Sequence, residues 1–292
     1  MDIDRNDHLS DEAGAISART LILDLMDTGS PPDFSTRDLV LAGAAFGLEA
    51  TGIRTALTRL RQEGRVRTLD RGRHAIGAKA EPLQHRILGW REVQGRQRPW
   101  DGGWLLAVAG PQERANRTLW RHTVRALDLE GFAEAETNVW VRPDNLEGGL
   151  EGGLEGGLEG GLEGGLEGGA TAMRRRLLAL DAAPSLLLVR ATALDDEREA
   201  RFRTLWPVAG LAASHAGLVR RLAESAARLP DLPLVEAAAE CLLTGRQAIR
   251  AILRDPLLPE ALCPPDALTD LIAAMDAYDR LGKDIWRRYL GT

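Results

Sequence analysis

The sequence predicts a multidomain α+β chain with an N-terminal winged helix, a middle ferredoxin-like βαββαβ domain and a C-terminal all-α domain. Three observations carry this expectation. Three amphipathic helical patterns and an arginine-bearing hairpin signal fill residues 16–80, and strand and helix signals follow in the order β-α-β-β-α-β over residues 100–195. Residues 196–292 show only helical periodicity, punctuated by prolines. Residues 1–15 are acidic and poor in large apolar side chains, which predicts a disordered lead-in, and residues 81–99 read as a linker with a short helical stretch around Ile87 and Leu88.

A chain of 292 residues with 44% hydrophobic content has material for two or three cores. Six tandem copies of LEGG, residues 146–169, hold six of the 43 acidic residues, so the rest of the chain balances its 37 basic residues. The net charge of −6 therefore belongs to the repeat and does not exclude an anionic partner. Two glycines in every four residues oppose a helix, and a period of four fits no solenoid, so the repeat reads as a flexible insertion. No apolar run approaches the roughly 20 residues that span a bilayer, and the acidic start differs from a signal peptide. A soluble cytoplasmic protein is expected. Cys241 and Cys263 lie outside any CxxC or Cys/His cluster, which predicts buried thiols, no metal site and no cofactor.

In the first predicted helix, "SARTLILDLMDTG", Leu21, Ile22, Leu25 and Met26 share a face. Ser35 is placed to cap the second, whose apolar positions are Leu39, Val40, Ala44 and Phe46. The third, "LEATGIRTALTRLRQEG", buries Ile53, Leu57 and Leu60 and presents Thr51, Arg54, Thr55, Thr58, Arg59 and Arg61. Val66 and Leu69 then lead into a "DRG" turn that sets Arg71 and Arg73 at a hairpin tip. Residues 49–79 carry eight basic and three acidic side chains. Short polar and forked cationic groups on an aliphatic-backed helix suit base edges and phosphates of the major groove, and arginines at a wing tip suit the adjacent backbone. These eight threonines and arginines form the predicted DNA-binding set.

The middle domain opens at "WLLAVAG", an apolar run of strand length, and continues through a helical stretch bearing Leu119, Val124 and Leu127. Val139 and Val141 alternate around Trp140 in a later strand, "TAMRRRLLALDAA" is helical and "SLLLVRA" is a strand. The repeat falls between a strand and the second helix of this domain, so its two flanks are expected to belong together. Between the last two C-terminal helices sits "DPLLPEALCPPD", a proline-braced connector.

From Ser17 onward the chain resembles the PaaX family of bacterial transcriptional repressors. The resemblance rests on "GIRTALTRLRQEGRV", "RPWDGGWLLAVAG", "VWVRPDNL" and "RAILRDPLLPEALCPPD", which occur in the family's order. It implies a winged-helix reader, a middle domain similar to small CRISPR-associated nucleases, and a helical C-terminal domain for dimerisation and effector binding. It also implies a homodimer on double-stranded operator DNA of phenylacetate catabolism genes, released by an aryl-CoA thioester, phenylacetyl-CoA. Arg54, Thr55, Thr58 and Arg59 would be base and phosphate readers, Arg61 a backbone contact, and Arg71 and Arg73 would serve the wing. The effector's residues are not assigned, since no Walker or GxGxxG pattern is present.

Two other readings follow from the same residues. A regulator with a different effector, or none, would share the DNA-binding set. A metal-dependent nuclease of the CRISPR-associated type needs an acidic residue near the end of the first middle-domain strand, where this chain has "WLLAVAG" followed by Pro111. The five histidines, His8, His74, His85, His122 and His215, are scattered and lack a nucleophile motif, so no enzyme activity is expected.

Overall fold

The computed structural model describes residues 16–28, 33–147 and 169–291, without the side chains of Thr28, Arg71 and Pro82. The lead-in and most of the repeat lie outside the described residues. Within them the chain is α+β, with two small antiparallel sheets and a helical C-terminal region. In order come α1 (Ala18–Thr28), β1 (Phe34–Ser35), α2 (Thr36–Ala44), α3 (Ala50–Gln62), β2 (Val66–Thr68), β3 (Arg73–Ile76) and α4 (Glu81–Leu88). Next are β4 (Trp104–Val108), α5 (Pro111–Ala115), α6 (Arg117–Leu129), β5 (Ala133–Glu136), β6 (Val139–Pro143), α7 (Gly169–Ala179), β7 (Leu187–Ala191) and α8 (Asp196–Phe202). The long helices α9 (Val208–Arg228), α10 (Leu234–Arg254) and α11 (Asp266–Leu290) complete the chain.

Two compact units divide these elements, and neither is one continuous stretch. The first comprises Met1–Arg91, Ser214–Leu253 and Ala267–Thr292; the second comprises Glu92–Ala213 and Arg254–Asp266. In the first unit Leu21, Ile22 and Met26 of α1, Leu39 of α2 and Ile53 and Leu60 of α3 form a core that excludes solvent completely. Each such side chain contributes about 1.5–3 kcal/mol by burial. Ser35 caps α2 through a reciprocal pair: its hydroxyl accepts from Asp38 N at 3.1 Å and its amide donates to Asp38 Oδ2 at 2.9 Å. At the α2–α3 crossing a Cβ on Gly43 would stand 2.7 Å from Ile53 Cγ1, so glycine lets the helices approach.

The C-terminal helices join this core. Leu242 of α10 and Trp286 and Leu290 of α11 pack against it, Arg246 pairs with Asp24 at 2.8 Å, and Tyr289 donates to Leu41 O at 3.0 Å. Arg91 bridges Asp276 at 2.6 Å and Asp279 at 2.5 Å on α11. The segment expected to be a linker is helical from Glu81 to Arg96, as α4 and a following 3-10 stretch, and buries Ile87, Trp90 and Val93. Cys241 is buried, and desolvation pushes its thiol up to about 12. Cys263 is only half-buried, since it lies in the connector and not inside a helix.

The second unit is built on the sheet β5-β6-β4-β7, antiparallel throughout. Alternation along β6 sends Val139 and Val141 to a cluster with Trp104, Phe202, Trp206 and Leu258, while Trp140 meets Trp120 edge-on at 5.4 Å. The predicted middle helix is broken: Asn116 accepts from Thr118 N and Leu119 N, each at 3.1 Å, and starts α6 after the short α5. Both flanks of the repeat lie in this unit, and Arg176 of α7 donates to Glu147 O, in the first copy, at 3.0 Å.

The connector is gripped by its main chain. Three successive carbonyls, Pro256, Leu257 and Leu258, accept from Arg142 Nη2 at 3.5 Å, Asn145 Nδ2 at 2.8 Å and Gln97 Nε2 at 2.9 Å. Leu257 has φ of 51°, a left-handed conformation that a leucine rarely adopts. Gly131, at φ 76°, approaches so closely that a Cβ would stand 2.7 Å from Pro256 O. Burial, with Arg176 next, lowers the pKa of the Arg142 guanidinium, which also donates to Glu130 O and, at 3.0 Å, to Asn145 Oδ1.

Candidate nucleic-acid interface

Residue spacing builds the candidate surface. In α3, Ile53, Leu57 and Leu60 face the core, and the 3.6-residue period leaves Thr51, Arg54, Thr55, Thr58, Arg59 and Arg61 exposed. Thr58 donates its hydroxyl to Arg54 O at 2.9 Å, which fixes that side chain along the helix and leaves its oxygen lone pairs outward. Arg59 and Arg61 lie in the last turn, where a cation complements the helix dipole.

The hairpin β2–β3 lies beside this helix, with β1 as a third strand on β3. A two-residue strand has no readable periodicity, and only the Ser35 cap was legible there. A cleft of about 670 Å³ opens between the C-terminal half of α3 and the hairpin. Thr58, Arg61 and Gln62 line one wall and Arg67 and Thr68 the other. Arg67 and Thr68 are absent from the sequence-predicted set. The signal for Arg67 was available, since with Val66 inward the next residue in a strand points out, whereas the same alternation puts Thr68 on the Val66 face and gives no such signal. Arg67 Nε donates to Ile76 O at 3.1 Å, which steadies the guanidinium and leaves both Nη groups uncommitted to that bond.

The wing arginines part company. The tip turn Asp70–Gly72 forms as expected, but the Arg71 side chain lies outside the described residues. Arg73 is half-buried and turned inward: its Nε donates to the Asp33 carboxylate, its Nη2 donates to Asp33 O at 2.5 Å, and Asp38 lies 4.0 Å away. The hydrogen bond that Arg73 donates to the Asp33 side chain raises the pKa of Arg73. Arg73 thus braces β3 against the start of α2 and is not a free cation.

Acidic groups near the surface are engaged from behind. Glu63 pairs with Arg19 at 2.7 Å and lies 4.0 Å from Arg65, and the Arg19 hydrogen bond lowers its pKa. Arg54, Arg59, Arg61 and Arg67 have no carboxylate partner among the described residues, whereas Arg19, Arg73, Arg91 and Arg246 all do. Arg54, Arg59 and Arg61 on α3 and Arg67 on β2 are therefore exposed cations that form no ion pair among the described residues. His74 of β3 is buried, with Thr36 Oγ1 3.0 Å from Nε2 and Thr68 Oγ1 3.3 Å from Nδ1. Desolvation first, and then the Arg61 charge, lower its pKa.

The remaining described histidines fall on separate elements, His85 on α4, His122 on α6 and His215 on α9. Among the described residues no group of three or more His, Cys, Asp or Glu is placed to hold a metal ion, and no helix is long and apolar enough to cross a membrane.

No protein-family profile matches the chain, and no curated protein matches it. Among solved structures, the uncharacterized protein Rv0674 from Mycobacterium tuberculosis is similar, with a TM-score of 0.58 and 20% identity over 94% of this chain and 98% of that one. The likeness extends over both units and is one of fold.

Proposed function

We propose that the chain is a sequence-specific DNA-binding transcriptional regulator in which α3 enters the major groove of a duplex. The observation that carries this reading is that Arg54, Arg59 and Arg61 of α3 and Arg67 of the adjoining strand are exposed and form no ion pair among the described residues, while Ile53, Leu57 and Leu60 hold the helix by a buried stripe. Short threonines between the arginines let the helix backbone come close to base edges. Treating the first three helices and their hairpin as a winged helix is supported by the β1-β3-β2 sheet and the cap that orients α2. Treating the second unit as ferredoxin-like is supported by its β-α-β-β-α-β order and by β4 and β6 as the central strands.

The resemblance to PaaX repressors supplies the rest of the reading: a cytoplasmic homodimer on operator DNA of phenylacetate catabolism genes, released by phenylacetyl-CoA. Electrophoretic mobility shift tests it with the full chain and the duplex upstream of its own and neighbouring genes. Retardation that phenylacetyl-CoA abolishes, and that free phenylacetate and CoA leave intact, is the expected result. Retardation indifferent to all three removes the effector assignment and leaves the DNA reading standing. No retardation relative to random duplex removes both.

A further inference from the structure

The cleft between α3 and the hairpin has cations on both walls, Arg61 from the helix and Arg67 from β2, and no carboxylate among its lining residues. Thr58 and Thr68 add hydroxyls to those walls. The Arg67 guanidinium is held from behind by Ile76 O at 3.1 Å, and Arg61 stands close enough to the buried His74 to lower its pKa. Arg61 and Arg67 both line this cleft, and an anion held between them would offset their mutual repulsion. A forked guanidinium presents paired N–H donors at the spacing of phosphate oxygens.

We propose that this cleft seats one phosphodiester of the DNA backbone, with Arg61 and Arg67 as its two clamps, and so fixes the register of α3 without reading sequence. The proposal rests on the DNA reading above and assigns Arg67 a part that the sequence did not. The same phosphate chemistry exists in free polyphosphates, and the duplex is the source to which the geometry points. The cleft takes in Thr58 and Arg61 from the exposed side of α3, the helix proposed to enter the major groove.

The test is equilibrium binding of the full chain to its upstream duplex and to a scrambled duplex across a salt series, for wild type, Arg67→Gln, Arg61→Gln and Arg67→Lys. Each glutamine variant should reduce the slope of log K against log salt by about 0.9, which is about a fivefold loss of affinity at 0.15 M salt, equal on both duplexes. Arg67→Lys keeps the charge and should keep the slope. Inorganic pyrophosphate at constant ionic strength should not displace the duplex at concentrations up to the millimolar range. An unchanged slope in both glutamine variants overturns the proposal, as does a loss confined to the upstream duplex, which would make the cleft a base reader. Loss of slope in Arg67→Lys, or displacement by micromolar pyrophosphate, overturns it too. Failure of the wild type to bind any duplex in a salt-dependent way would instead remove the DNA reading. Arg67 and Arg61 are exposed, so an unchanged melting temperature certifies that each variant is folded.

Discussion

The side chain that ties the candidate interface together is His74. It is buried with a threonine hydroxyl at each ring nitrogen, Thr36 from α2 and Thr68 from β2, and so joins the hairpin to the helix before α3. Its pKa in the fold is below the ordinary 6.5, chiefly through burial and secondly through Arg61. The fold therefore favours neutral imidazole, and its contribution is complete above about pH 6.5 and is lost as pH falls through the folded value. The stability difference between the wild type and His74→Gln should accordingly be larger at pH 7.5 than at pH 5.5, with the variant melting lower at pH 7.5. An identical pH dependence in both proteins would show that His74 does not titrate against the fold. Arg73 teaches a related lesson: an arginine at a predicted wing reads as a DNA contact, yet Asp33, 40 positions earlier, has claimed it. Sequence proximity to a basic face does not tell a free cation from a paired one.

At the scale of elements, α3 was legible because its apolar residues recur at the helical period, and the structure buries Ile53, Leu57 and Leu60. The middle sheet was legible for a similar reason, through alternation around Trp140. The connector's anchorage was not, because its partners Gln97, Arg142 and Asn145 lie more than 110 residues away in sequence and act on backbone carbonyls, which carry no side-chain signature. The stretches "VWVRPDNL" and "DPLLPEALCPPD", distinctive as sequence, are two halves of this one grip. Asn145→Ala leaves the buried Leu257 carbonyl without its donor and should cost about 1–3 kcal/mol in denaturant unfolding. Gly131→Ala combines a left-handed φ with a Cβ against Pro256 and should raise hydrogen exchange across residues 254–266. Wild-type protection there in both variants would contradict the grip.

For the whole molecule, sequence order and spatial grouping diverge. Composition marks residues 146–169 as a break, yet Arg176 beyond the repeat holds Glu147 in its first copy. The long C-terminal helices read as a region apart, while Trp286, Leu290, Tyr289 and Arg246 fasten α10 and α11 to the three N-terminal helices. Amphipathic periodicity says that a face is covered and is silent on what covers it. Removing four copies of the repeat, residues 150–165, keeps both anchors and should leave melting and duplex affinity unchanged or slightly improved, since each halving of a loop recovers about 0.6 kcal/mol. A melting temperature lowered by many degrees would show that the repeat contributes to the fold. The central claim, that the arginine face of α3 reads duplex DNA, is tested most directly by equilibrium binding of the full chain to its own upstream duplex and to a scrambled duplex. A preference of about a thousandfold or more at 0.15 M salt, with affinity for both duplexes falling steeply as salt rises, is the predicted result. Equal affinity for the two duplexes at every salt concentration would contradict it.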